Sequence, residues 1–262
     1  MSMLRIVGFV QGVTQLHDVV FVACFRSSRI LRFSVTTQQR LTDVDVVDLK
    51  YPQDIAACEQ TSHVYVADDV KCIWRVSADG ADFKHWLPKS PDADDTFQPR
   101  KLSVTSTRLL VTSRLTKQLM QFDADGNELR RVHLPDYMDQ MQHAVESPTG
   151  TFIVSHLNTQ LDQYQVSEVN TGGEMLRQFT GSRLSSLGRP QHVAVDSHGN
   201  IFVADYNNHR ILLLDAHLTL RRVIIDEHPL NSSEPLRLCY REQSGQLLVG
   251  YFDSVSVFDV VD

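Results

Sequence analysis

Ile201-Phe202-Val203-Ala204 is a short apolar string that the chain uses six times. The other copies are Val20-Phe21-Val22-Ala23, Val64-Tyr65-Val66-Ala67, Leu109-Leu110-Val111-Thr112, Phe152-Ile153-Val154-Ser155 and Leu247-Leu248-Val249-Gly250. With the third residue of each copy as anchor (22, 66, 111, 154, 203, 249), the steps are 44, 45, 43, 49 and 46 residues. β-Branched and aromatic residues bounded by turn residues read as buried strands. Self-similarity at a period of this length marks a repeat architecture.

Each anchor sits in a larger unit. A short apolar strand precedes it, as in Ile55–Cys58, Leu102–Thr105, Ala144–Ser147, Val193–Asp196 and Leu238–Tyr240. A hairpin turn joins the two, clearest in Asp196-Ser197-His198-Gly199-Asn200 and Ser147-Pro148-Thr149-Gly150, where glycine supplies a positive φ. A polar loop leads to a third strand (Arg29–Phe33, Cys72–Val76, Gln118–Phe122, Leu161–Val166, Ile211–Leu214, Val255–Phe258), and a second turn to a fourth. Four strands in each of six units, with no amphipathic helix, predict an all-β chain forming a six-bladed β-propeller of four-stranded blades. No linker interrupts the period, so residues 1–262 read as a single domain. The sixth unit stops after three strands, whereas a spare strand, Leu4–Val10, precedes the first. Pairing the two predicts an N-terminal strand that closes the last blade and leaves no open edge. Leu87–Pro99 reads as a surface loop between units.

Composition narrows the function classes. Apolar residues make up 42% and charged residues 22% of the 262, which excludes disorder. The net charge of −7 excludes a general polyanion coat. The longest apolar run, Val19–Phe25, is far short of the ~20 residues that span a bilayer. Four cysteines without a CxxC pair read as reduced thiols. With no signal peptide in the sequence, these features predict a cytoplasmic protein without membrane attachment, and a monomer. Gly-x-Ser-x-Gly, P-loop and Rossmann fingerprints are absent. Trp74 and Trp86 read as packing between blades.

The fifth unit, from Gly188-Arg189-Pro190-Gln191-His192 through Val203-Ala204-Asp205-Tyr206-Asn207-Asn208-His209-Arg210 to Asp215, resembles an NHL repeat. Val64-Tyr65-Val66-Ala67-Asp68 is similar to a lesser degree, and the other units share only the strand pattern. The resemblance implies a six-bladed recognition domain like those of TRIM-NHL proteins, which bind protein or RNA on one face. The sequence carries none of their RING, B-box or coiled-coil segments, so a ligase role would need a partner. Asp68, Asp205 and His209 match the motif at positions whose expected role is to hold neighbouring loops.

Two surfaces are candidates for function. The loops between second and third strands carry six bases against two acids, with Phe25, Arg26, Arg114, Tyr206 and Phe252 among them as ligand-binding candidates. Bases interleaved with aromatics suit single-stranded RNA. The inter-blade connections on the same face hold nine acids against four bases. The face therefore sums to near neutral, which disfavours RNA and leaves a protein or small-molecule ligand. The second surface is the central channel. Where the NHL pattern expects glycine at the entrance to the innermost strand, this sequence has Asp54, Lys101, His143, His192 and Arg237, and only the first blade keeps Gly12. These five are expected to ring one mouth of the channel. They could simply solvate it, hold a small anion through Lys101 and Arg237, or form a catalytic site. In the last case His143 and His192 would act as acid and base or bind a metal, with Asp54 orienting or completing the set, as in lactonase- or lyase-like propellers. The sequence identifies no cofactor.

Overall fold

The computed structural model describes residues 2–70, 72–87, 98–113, 116–182, 185–225 and 234–260. Six four-stranded antiparallel sheets follow one another along the chain. Their innermost strands are Val10–Leu16, Pro52–Cys58, Pro99–Thr105, Met138–Glu146, Pro190–Val195 and Arg237–Arg241. One 3₁₀ turn, Tyr206–Asn208, is the only helical element among the described residues. None of the helical structure there is long and apolar enough to cross a membrane.

The sixth sheet is completed from the other end of the chain. Ser2–Arg5 pairs antiparallel with Ser254–Asp259, placing Leu4 opposite Val255. The closing strand is shorter than the Leu4–Val10 stretch expected from sequence. Gly8, at φ +129°, lies between it and Val10, which already opens the innermost strand of the first blade. Both hairpin glycines do adopt left-handed backbone, Gly150 at φ +80° and Gly199 at φ +82°. The long step from Val154 to Val203 contains a small extra hairpin, Gly181–Ser182 against Ser185–Ser186.

The core is divided into six apolar layers, one between each pair of neighbouring blades. Phe21 and Ile30 of the first blade meet Ile55, Val66 and Trp74 of the second. Equivalent layers join blades two and three, three and four, four and five, and five and six. The last, with Leu248 and Val255 against Val13 and Val22, seals blade six to blade one. The six anchor valines are fully buried in these layers, each contributing about 2 kcal/mol through burial. Trp74 and Trp86 pack in the first and second layers, and Trp86 Nε1 donates to the Ala124 carbonyl at 2.8 Å. The loop read at Leu87–Pro99 falls mostly on residues 88–97, outside the described residues.

Candidate functional site

A propeller leaves one edge of every innermost strand facing the channel, with backbone groups that no further strand can pair. Proline at the first position of three of them, Pro52, Pro99 and Pro190, suits such an edge because it has no N–H to satisfy. Just inside the entrance, five of these strands bulge: between Val10 and Gly12, Pro52 and Asp54, Pro99 and Lys101, Asp139 and His143, and Pro190 and His192. A bulge bends the strand and re-aims the next side chain. The residues that resume pairing are Gly12, Asp54, Lys101, His143 and His192, opposite Ala23, Ala67, Thr112, Ser155 and Ala204. Arg237 takes the sixth place opposite Gly250. The five polar residues expected at the channel thus stand at one level.

They form a closed polar plug, since all five side chains are buried. Much of their hydrogen bonding goes to the open strand edges. Asp54 Oδ2 accepts from the Leu102 N–H at 3.1 Å, and Lys101 Nζ donates to the Gln53 carbonyl at 2.8 Å. His143 Nε2 meets the Leu102 carbonyl at 3.2 Å. Arg237 donates from Nε to the Gln11 carbonyl and from Nη1 to the Leu236 carbonyl, the latter at 2.7 Å. The Arg237 Nε also lies 3.8 Å from Asp54 Oδ1. The imidazoles of His143 and His192 stack with centroids 3.6 Å apart and planes 22° from parallel. Gly12 is small because the ring is full: a Cβ there would lie 2.6 Å from Ile55 N and 3.0 Å from Asp54 Oδ1.

Burial sets the protonation of the ring. It pulls the His143 pKa down to about 4, against the opposing charge of Asp54. His192 is lowered well below the ordinary value by burial and by its neighbours His143, Arg237 and Lys101. Lys101 is lowered by burial and then by Arg237. Both imidazoles are therefore neutral at pH 7. The carbonyl of Leu102 fixes the proton of His143 on Nε2, leaving its Nδ1 as an acceptor without a partner; His192 Nδ1 is also unpartnered.

Donor atoms of Asp54, His143 and His192 lie within 4.8 Å of one another, so the channel is narrow enough for the three to meet. A divalent cation nevertheless does not fit them. Asp54 is already engaged by the Leu102 N–H and faces the Arg237 guanidinium, while the basic side chain of Lys101 is buried in the same ring. Adding a metal would concentrate positive charge where the dielectric screens it least.

Outside the channel, the loop candidates fall into separate groups. Arg114 lies outside the described residues. Arg26 places its guanidinium carbon 5.2 Å from the Phe25 ring centroid. Phe25 is 6.4 Å from the ring of Tyr51, and Phe252 packs against Phe9 with centroids 3.9 Å apart. Phe9 and Tyr51 escaped the sequence reading. Phe9 falls within the apolar stretch that the sequence predicts as the closing strand, and an isolated tyrosine in a connection carries no periodic signal. Tyr206 stands apart on blade five, its backbone N–H bonded to the Arg189 carbonyl at 3.1 Å.

The motif aspartates clamp loops. Asp68 accepts from the backbone of Lys50 and Tyr51 at 3.0 and 2.9 Å. Asp205 accepts from Gly188 N, Asn208 Nδ2 and Arg210 Nε, each at 2.8 Å. Each carboxylate thereby anchors an inter-blade connection to the second strand of the following blade.

This geometry defines a closed six-bladed β-propeller with a polar channel plug. Residues 187–212 match the family model of the NHL repeat, so the fifth blade is an NHL repeat in a six-bladed propeller. No curated protein matches the chain. Among solved structures, it is similar to the hydrazine synthase of Kuenenia stuttgartiensis, with a TM-score of 0.69 and 13% identity over 97% of this chain and 96% of that one. Virginiamycin B lyase from Staphylococcus aureus gives 0.69 and 12%, covering 99% of both chains. A chain of the nidogen/laminin complex gives 0.67 and 15%, covering 88% and 84%. At these identities the likeness concerns the fold alone, and propellers host binders and enzymes alike.

Proposed function

We propose that this chain is a recognition module that docks a protein partner on its loop face. The observation that carries the reading is a run of exposed and half-buried aromatic and apolar side chains across blades six, one and two. Phe252 (57% exposed) packs at a tilt against Phe9 (45%), which follows exposed Val7 (93%) by two residues in the chain. The Phe9 carbonyl accepts from Phe25 N, and the Tyr51 carbonyl from Asp69 N beside exposed Val70. Backbone bonds and ring contacts therefore link Phe252, Phe9, Phe25, Tyr51 and Val70 into a continuous strip, with Arg26 over the Phe25 ring. Aromatic anchors with a neighbouring arginine have the composition of a protein-binding hot spot. Four unpaired cysteines support a reducing, cytoplasmic setting.

The test is quantitative affinity capture, with nuclease treatment, comparing wild type with Phe252→Asp/Phe9→Ser and with Leu176→Asp on the outer strand of blade four. Partners lost from the double variant and retained by Leu176→Asp support the reading. Identical recovery by all three proteins overturns it, as does recovery that nuclease abolishes.

A further inference from the structure

The loop face has a second feature, separate from the aromatic strip, where blades three, four and five meet. A cleft of about 290 Å³ is lined there by Arg100, Lys117 and Arg189 among other residues, with Asp139 as the one acid among the described residues of its lining. The three cations come from three different places in the sequence. Arg100 is the bulged residue of the third innermost strand, and Lys117 belongs to the second-to-third-strand loop of that blade. Arg189 directly precedes Pro190 at the entrance to blade five. The cleft is held open by blade four, whose bulge is larger than the others. Asp139 pairs with Leu157 and His143 with Ser155, so three residues oppose one, and Gln140 sits in left-handed backbone at φ +43°.

The electrostatics of this corner oppose those of the whole molecule. Among the described residues of the lining, three basic side chains stand against one acid, in a chain whose net charge is −7. Lys101 and Arg237 lie below, close enough to Arg100 for its charge to act on both, and Asp54 is their one carboxylate in the ring. Hydrogen-bond donors remain available at the cleft. Among the described residues, Arg189 Nε and Thr116 Oγ1 are buried without a partner, and Arg189 Nη2 reaches Gln142 Oε1 at 3.5 Å. Lys117 Nζ is steadied by the Asp136 carbonyl. Asp139 is turned back onto its own chain, its Oδ1 accepting from Gln140 N at 2.7 Å.

We propose that this cleft binds the phosphate group of a small phosphomonoester. An anion suits this basic lining, and a compact group with several acceptor oxygens suits guanidinium, ammonium and hydroxyl donors converging from separate blades. A phosphodiester strand carries a single charge per phosphate and needs an extended basic track, which the acidic connections of this face do not provide. The proposal goes beyond the docking reading and uses different residues.

Calorimetric titration of the full chain at low ionic strength tests it, with phenyl phosphate and inorganic phosphate as probes. The variants are Arg189→Gln and Lys117→Gln, with Arg26→Gln as control. Circular dichroism verifies folding. Saturable binding of phenyl phosphate is expected, weakened about tenfold or more in each cleft variant and unchanged in Arg26→Gln. Inorganic phosphate is expected to compete for the same site. Absence of saturable binding overturns the proposal, as does equal affinity in Arg189→Gln and Lys117→Gln. Tighter, Arg189-dependent binding of a dephosphorylated single-stranded RNA oligonucleotide also overturns it, in favour of nucleic acid. Phe252→Asp/Phe9→Ser should bind phenyl phosphate normally, so failure of the docking reading and failure of this one are separable.

Discussion

The ring of His143 lies against the ring of His192 at 3.6 Å between centroids, and both imidazoles are neutral because they are buried. Stability should therefore fall in acid. An unfolded histidine binds its proton near 6.5, whereas folded His143 does so only at about 4. Between these values the unfolded chain holds more protons, so stability is full above about 6.5 and is lost as pH falls towards 4. For His143 alone the loss is about 3 kcal/mol. Urea midpoints measured from pH 7 to 4 should drop steeply in wild type and less steeply in His143→Gln. Superimposable profiles would show that this histidine titrates normally.

Asp54 balances Arg237 and accepts the Leu102 N–H. Asp54→Ala removes both interactions and should cost about 3–5 kcal/mol, because it leaves the buried Arg237 guanidinium uncompensated. Asp54→Asn keeps an acceptor for Leu102 and should cost less. Chemical denaturation ranks the two, and equal losses would mean that charge balance does not hold the plug together.

Gly12 is where the ring has no room for a side chain. Its added Cβ would meet a backbone nitrogen, Ile55 N, at 2.6 Å. Gly12→Ala should destabilise by about 1–3 kcal/mol through overpacking. A thermal midpoint equal to wild type would show that blades one and two separate easily at this level.

Zinc should not bind the channel. The acceptor nitrogen of His143 and its neighbours have a suitable spacing, but Lys101 and Arg237 occupy the same buried space. Calorimetry with zinc chloride should give no saturable heat attributable to this set. A stoichiometric heat that disappears in His192→Ala would show that metal binding outweighs the local positive charge.

Asp205 bonds three groups across the entrance to blade five. Asp205→Ala should leave the Gly188 N–H and the Arg210 Nε–H without their acceptor, at a cost of about 2–4 kcal/mol. Faster amide exchange at Gly188 and in Tyr206–Asn208 should accompany it. Unchanged exchange there would remove the clamp assignment.

Much of this architecture is legible in the sequence for a simple reason. Blade strands are buried on both faces, so every repeat must present an apolar string at its second strand, and the six valines from Val22 to Val249 mark the spacing of the sheets. The equivalence of Asp54, Lys101, His143, His192 and Arg237 follows from the same spacing. Counting from the anchors could not show that Lys101 and Arg237 would spend donors on strand-edge carbonyls. Those carbonyls become unpaired neighbours of the ring only once the propeller closes. Phe9 illustrates the reverse case: within an apolar N-terminal stretch it looked like strand, yet after Gly8 it lies on the surface against Phe252.

The repeat strings by themselves determine six four-stranded blades and a closing N-terminal strand, because burial of alternating layers is a local, periodic demand on residue type. Tertiary structure alone decides that the polar channel residues form a buried plug and that Arg100, Lys117 and Arg189 share one cleft. Those relationships join residues from different blades, and their distances follow from how the ring closes. No one-dimensional pattern encodes that.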